Sequence, residues 1–80
     1  MERINAALRK SSPHTVLALC AEHERRWPHG VFEPEREGAR AIASCSAKER
    51  DARARARAFL VKYPRTATAA RVRAECAPLL

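Results

Sequence analysis

Apolar residues recur at three- and four-residue spacing along most of the chain, the period of a helix that buries one face. Residues 48–63 show it best. Ala52, Ala56, Phe59, Leu60 and Tyr63 fall on one stripe there, between a ridge of Arg50, Arg53 and Arg57 and a second ridge of Lys48, Arg55 and Lys62. The run Arg53-Ala54-Arg55-Ala56-Arg57-Ala58 also alternates with period two, as a strand would. Ala and Arg are strong helix formers and Ala is a poor strand residue, so the helical reading prevails.

The same test predicts four more helices. A short one spans 3–10 and carries Ile4, Ala7 and Leu8. The next spans 13–27, with Ser12 as N-cap and Pro13 at the first position, where its missing N–H costs nothing. Its stripe is Val16, Cys20, His23 and Trp27, with Leu17 and Leu19 alongside. The third spans 31–46 through Phe32, Ala39, Ile42 and Ala43. Pro34 fits only in its first turn, and Glu33, Glu35 and Glu37 suit the positive pole of its dipole. The fifth spans 67–76, capped by Thr66, with Val72 and Cys76 inward. Few β-branched residues and two glycines leave no hairpin signal. The pattern predicts an all-α fold of about five short helices in antiparallel hairpins, one domain over 1–80.

Superposing the chain on itself at an offset of 36 residues brings Trp27-Pro28 onto Tyr63-Pro64, Cys20 onto Ala56, His23 onto Phe59 and Gly30 onto Thr66. Each copy reads as a helix ending in an aromatic, then Pro, then a capping residue and a new helix. Proline disfavours helical backbone in the residue before it, so each helix stops at its aromatic. Gly30 or Thr66 then caps the next helix, and the aromatic packs back into the hairpin it closes.

Phe59-Leu60-x-x-Tyr63-Pro64-x-Thr66-x-x-Ala69-Ala70 resembles the helix junction of tetratricopeptide-like repeats, in the variant of bacterial outer-membrane assembly lipoproteins. Trp27-Pro28-x-Gly30 with Glu35-Arg36-Glu37 is similar to the preceding junction. The resemblance covers about residues 14–77. It implies structural roles for Trp27, Pro28, Phe59, Tyr63 and Pro64, and a family that binds proteins or peptides without catalysis. The usual Trp and Leu-Gly positions are not met, since Arg36, Ala39 and Arg40 stand there, and the spacing is 36 rather than about 34.

Composition narrows the picture. Eighty residues make one small domain. No apolar run approaches the roughly 20 residues of a membrane span. Met1-Glu2-Arg3-Ile4 lacks an apolar signal core, which favours a cytoplasmic chain, or an envelope one if it is a piece of a longer protein. The net charge is +7, with sixteen Lys and Arg against nine Asp and Glu. Thirteen of those cations are Arg and seventeen residues are Ala, an excess that GC-rich coding sequence supplies whatever the function. The charge therefore favours solubility and general attraction to polyanions more than any specific readout.

Candidate chemistry is sparse. Cys20 and His23 lie one turn apart, but a structural zinc site takes four ligands, and Cys-x-x-Cys and His-x-x-x-His pairs are both lacking. His14 and His29 stand apart from them. Ser11, Ser12, Ser44 and Ser46 have no His and acid partner pattern, and acids interleaved with Arg, as in Glu33/Glu37/Arg36/Arg40, read as solvated ion-pair faces. No cofactor, metal or catalytic residue is assigned. In a hairpin solenoid helices three and five run parallel, which brings Cys45 and Cys76 within disulfide reach; a bridge there would stabilise by roughly 3–4 kcal/mol. Lacking a targeting signal, the balance favours three free thiols.

The expected function is protein or peptide binding or self-association. Arg50, Arg53, Arg57, Arg55 and Lys62 are the expected contacts to an acidic partner. Two repeats leave solenoid ends unburied, so a homo-oligomer or larger assembly is expected to cover the first helix or Pro78-Leu79-Leu80. A basic nucleic-acid-associated protein is the alternative, weakened by aromatics that sit at junctions rather than between the arginines.

Overall fold

The computed structural model describes residues 1–80 and is all-helical. Five helices follow in order: α1 (Glu2–Arg9), α2 (Pro13–Arg26), α3 (Glu33–Ser46), α4 (Ala52–Lys62) and α5 (Ala67–Glu75), with a closing 3₁₀ turn at Ala77–Leu79. No helix is long and apolar enough to cross a membrane.

Central α3 packs against all four other helices. Its two sides feed two cores. Ala39 and Ala43 join Ile4, Ala7, Val16 and Cys20 of α1 and α2. Ala41, Ile42 and Cys45 join Ala52, Ala56 and Phe59 of α4 and Ala69 and Val72 of α5. Alanine at so many seam positions lets helix axes come close, and Gly38 marks the tightest point. A Cβ there would collide with Thr68 Cγ2 of α5 and stand 3.1 Å from Phe59 Cζ. Cys45 and Cys76 are joined in a disulfide, Cα atoms 5.5 Å apart, which ties the end of α3 to the end of α5. This corrects the expectation of three free thiols: only Cys20 is free, buried in α2. The two helix ends converge because both flank the same core.

Helix boundaries differ from the expected ones where backbone closure intervenes. α4 begins at Ala52 rather than 48, because Lys48 takes a left-handed conformation (φ 56°) that closes α3. Lys48 N–H donates to Cys45 C=O (3.2 Å) and Glu49 N–H to Ser44 C=O (3.0 Å), the paired bonds of a Schellman ending. α1 ends the same way at Ser11 (φ 55°), with Ser12 N–H donating to Ala7 C=O at 3.1 Å. Thr66 caps α5, its hydroxyl accepting from Ala69 N–H at 3.0 Å. Gly30 does not cap α3. Lacking a side-chain acceptor, it is followed by a turn through Val31 and Phe32, and α3 starts two residues later than 31.

Candidate interaction surface

The two aromatic–proline junctions share one backbone geometry. Trp27 ends α2 at φ −137°, ψ 69°, and Tyr63 ends α4 at φ −130°, ψ 58°. Each donates its N–H to the carbonyl four residues back at 2.8 Å, His23 in one and Phe59 in the other. The paired rings repeat too: His23–Trp27 centroids lie 5.2 Å apart and Phe59–Tyr63 centroids 5.3 Å. In both copies an arginine of the following helix binds the turn carbonyls. Arg36 Nη1 donates to Trp27 C=O at 2.9 Å, and Arg73 Nη2 to Pro64 C=O at 2.9 Å.

What differs is the fate of the aromatic. Tyr63 packs against the core beside Phe59, whereas Trp27 is 52% exposed. The expectation that both aromatics fold back into their hairpins therefore fails for Trp27. Position 36 explains it. At the 36-residue offset Arg36 matches Val72, and both are buried. A valine there leaves an apolar floor. An arginine brings five donors: besides Trp27 C=O, they reach Pro28 C=O at 3.3 Å, Glu37 Oε2 at 2.7 Å and His23 Nδ1 at 3.4 Å. The closed end of the first hairpin, next to the turn, is thus polar, and the indole lies outside it. Burial, the Met1 α-amino group and Arg36 together lower the pKa of His23 from its ordinary value. Cys20, whose thiol contacts Arg36 C=O, is pushed up to about 11 by burial and is a poor nucleophile.

Val31 (85% exposed) and Phe32 (49% exposed) continue the apolar surface that Trp27 begins. A cleft of about 310 Å³ opens among Met1, His23, Trp27, Gly30, Val31 and Phe32. Across the indole a second cleft of about 320 Å³ is floored by Ile4 and Leu19 and edged by Glu2, Arg3, Glu22 and Arg26. The sequence reading treated Trp27 as a structural residue and passed over Val31. The offset that aligns Arg36 with Val72 is the signal that could have drawn attention to this turn.

The arginine ridges are only partly assembled. Arg53 and Arg57 are exposed on α4 with no carboxylate in salt-bridge range, while Arg50 lies in the turn before the helix. The second ridge is dispersed. Lys48 is held in the α3 ending, Arg55 pairs with Asp51 at 3.1 Å, and Lys62 reaches Glu33 at 3.8 Å and lies over the Tyr63 ring. Arg55 and Lys62 instead line a groove of about 470 Å³ facing Glu24, Glu33 and Glu37. The charge is polarised along the chain: residues 1–46 carry seven cations and six anions, residues 47–80 nine cations and three anions.

The histidines are scattered, His14 and His29 on the surface and His23 beside Arg36. No three His, Cys, Asp or Glu side chains are grouped to hold a metal ion. Compared with known protein families, curated proteins and solved structures, the chain shows no significant match to any of them.

Proposed function

We propose that this chain is a non-catalytic, tetratricopeptide-like interaction module that holds a protein or peptide partner. The observation that carries the reading is the exposed Trp27-x-x-x-Val31-Phe32 turn, an apolar surface with a cleft beside it. Small monomers rarely leave such side chains adjacent and uncovered unless something binds them. Trp and Phe are also the residue types that anchor interfaces. The duplicated junction geometry supports the repeat reading, and the exposed Arg53 and Arg57 of α4 offer a separate cationic contact for an acidic partner.

A photo-reactive residue at Val31, with a control at exposed Ala74 of α5, tests this in cells. The expected result is one discrete adduct, identified by mass, from position 31 and none from position 74. Labelling at neither position, or equal diffuse labelling at both, overturns the reading.

Nucleic-acid association is the second reading, favoured by the unpaired Arg53 and Arg57 and the cation excess of residues 47–80. Its signature is binding to unrelated duplex or single strand that weakens steeply with salt. No binding at low salt removes it.

A further inference from the structure

Resting on the interaction-module reading, we propose that the occupant of the Trp27–Phe32 surface is a second copy of this chain, in a two-fold dimer. A two-fold interface must be self-complementary, because each patch meets its own copy. This surface has a projection and a recess side by side. Val31 is the most exposed large apolar residue of the molecule, and it stands at the edge of the cleft formed with Met1, Trp27 and Phe32. Two-fold docking sets Val31 of each copy into the cleft of the other, with the indoles and Phe32 rings around it.

The rim is matched in the same sense. Glu2 and Glu22 stand with Arg3 and Arg26 on one side of the indole, and Glu35 with Arg71 beside Phe32 on the other. Both signs occur on each side, so a copy turned through 180° can place acid opposite base. The surface belongs mainly to the nearly balanced half of the chain, residues 1–46, rather than to the cationic residues 47–80. The apolar centre, on the order of 300 Å² per copy, falls short of the ~800 Å² per partner of a standard interface. The charged rim supplies the remainder, and the expected dimer is a reversible one.

Each copy carries a charge of +7, so association brings like-charged bodies together around an apolar contact. Salt screens that repulsion without weakening apolar burial, and the rim pairs, exposed to solvent and each worth little, lose less than the repulsion between the two +7 bodies does. Dimerisation is therefore expected to tighten with salt, opposite to the binding of any polyanion, nucleic acid included.

Sedimentation equilibrium of the whole chain, from about 10 μM to about 1 mM and at two salt concentrations, tests the proposal. The expected result is a mass rising from 9.0 kDa toward twice that value, with a smaller dissociation constant at higher salt. Val31→Glu and Phe32→Ser are expected to raise that constant at least about tenfold with an unchanged circular dichroism spectrum. Val61→Glu, at a comparably exposed valine of α4 outside this surface, serves as the charge-matched control and leaves it unchanged. A mass fixed at that of the monomer across the range, a dimer weakened by salt, or a dimer indifferent to Val31→Glu each overturns the proposal. The module reading is judged separately: cross-linking of Val31 to a different protein sustains it while overturning the dimer, and no adduct at all overturns both.

Discussion

Arg36 is a cation with almost no access to solvent, and its neighbours explain how it is tolerated. Its donors are spent on two turn carbonyls, Glu37 and the imidazole of His23, so the charge is hydrogen-bonded and paired. Replacing it with alanine opens a void and leaves the carbonyls of Trp27 and Pro28 without donors. Arg36→Ala is expected to cost about 2–4 kcal/mol in urea unfolding, with Arg36→Met recovering part of that loss by filling the space. His23 faces the same guanidinium from α2 and the α-amino group of Met1 from α1, with half-exposed Glu37 on the far side of Arg36. Burial and these two cations depress its pKa in the folded state, so the unfolded chain takes up the proton first. Stability from this group is complete above the unfolded value of 6.5 and is lost as pH falls from there through the lower folded value. Urea midpoints are expected to fall between pH 7 and 5, and to fall less in His23→Gln; an identical slope in both proteins would remove His23 as the cause.

At the scale of elements, the close approach of α3, α4 and α5 depends on Gly38 lacking a side chain. Gly38→Ala drives a methyl into Thr68 Cγ2 and against the Phe59 ring, and an expected loss of about 1–3 kcal/mol follows from overpacking. Thr68→Ser removes the clashing methyl, so the double variant is expected to regain part of that loss. Full additivity of the two substitutions would show that they do not meet. The disulfide acts on the same pair of helices from their far ends. Cys45 and Cys76 are 31 residues apart in sequence, and reduction frees the unfolded chain of that constraint at a cost of roughly 3–4 kcal/mol. Amide exchange is expected to accelerate first in α5, because α5 is held by α3, a short contact with α4, and the bridge. Uniform acceleration over all five helices would instead show one cooperative unit.

For the molecule as a whole, the uneven charge governs behaviour in salt. Residues 47–80 repel themselves, and most of their arginines lack a carboxylate neighbour. Thermal midpoints of the monomer at micromolar concentration are expected to rise as sodium chloride screens that repulsion. A midpoint independent of salt would mean that solvation already neutralises the effect. The apolar turn and the cationic half belong mainly to different hairpins, so the two can serve contacts of different chemistry. One such contact would be tightened by salt and the other loosened.

The helical class, the inward positions of α4 and the cap at Thr66 were legible in the chain, because each depends on residues within one or two turns of one another. Ala52, Ala56 and Phe59 are buried as their spacing requires, and Leu60 and Tyr63 pack partly against them. The equivalence of the Trp27-Pro28 and Tyr63-Pro64 junctions was likewise visible as a 36-residue offset. Three features were decided only by tertiary structure. Arg36 looks like any solvated arginine in sequence, since what buries it is the pair of carbonyls eight and nine residues back, presented by a turn. Trp27 looks like a core residue, and it is exposed because that arginine occupies the closed end of the hairpin. Cys45 and Cys76 were near neighbours in one topology and free thiols in the more economical reading; the convergence of α3 and α5 on a shared core joins them. Local periodicity fixes which face of a helix is apolar. Which apolar side chains go uncovered depends on what the neighbouring element puts in their place, and here it is one buried guanidinium that leaves the surface proposed to bind.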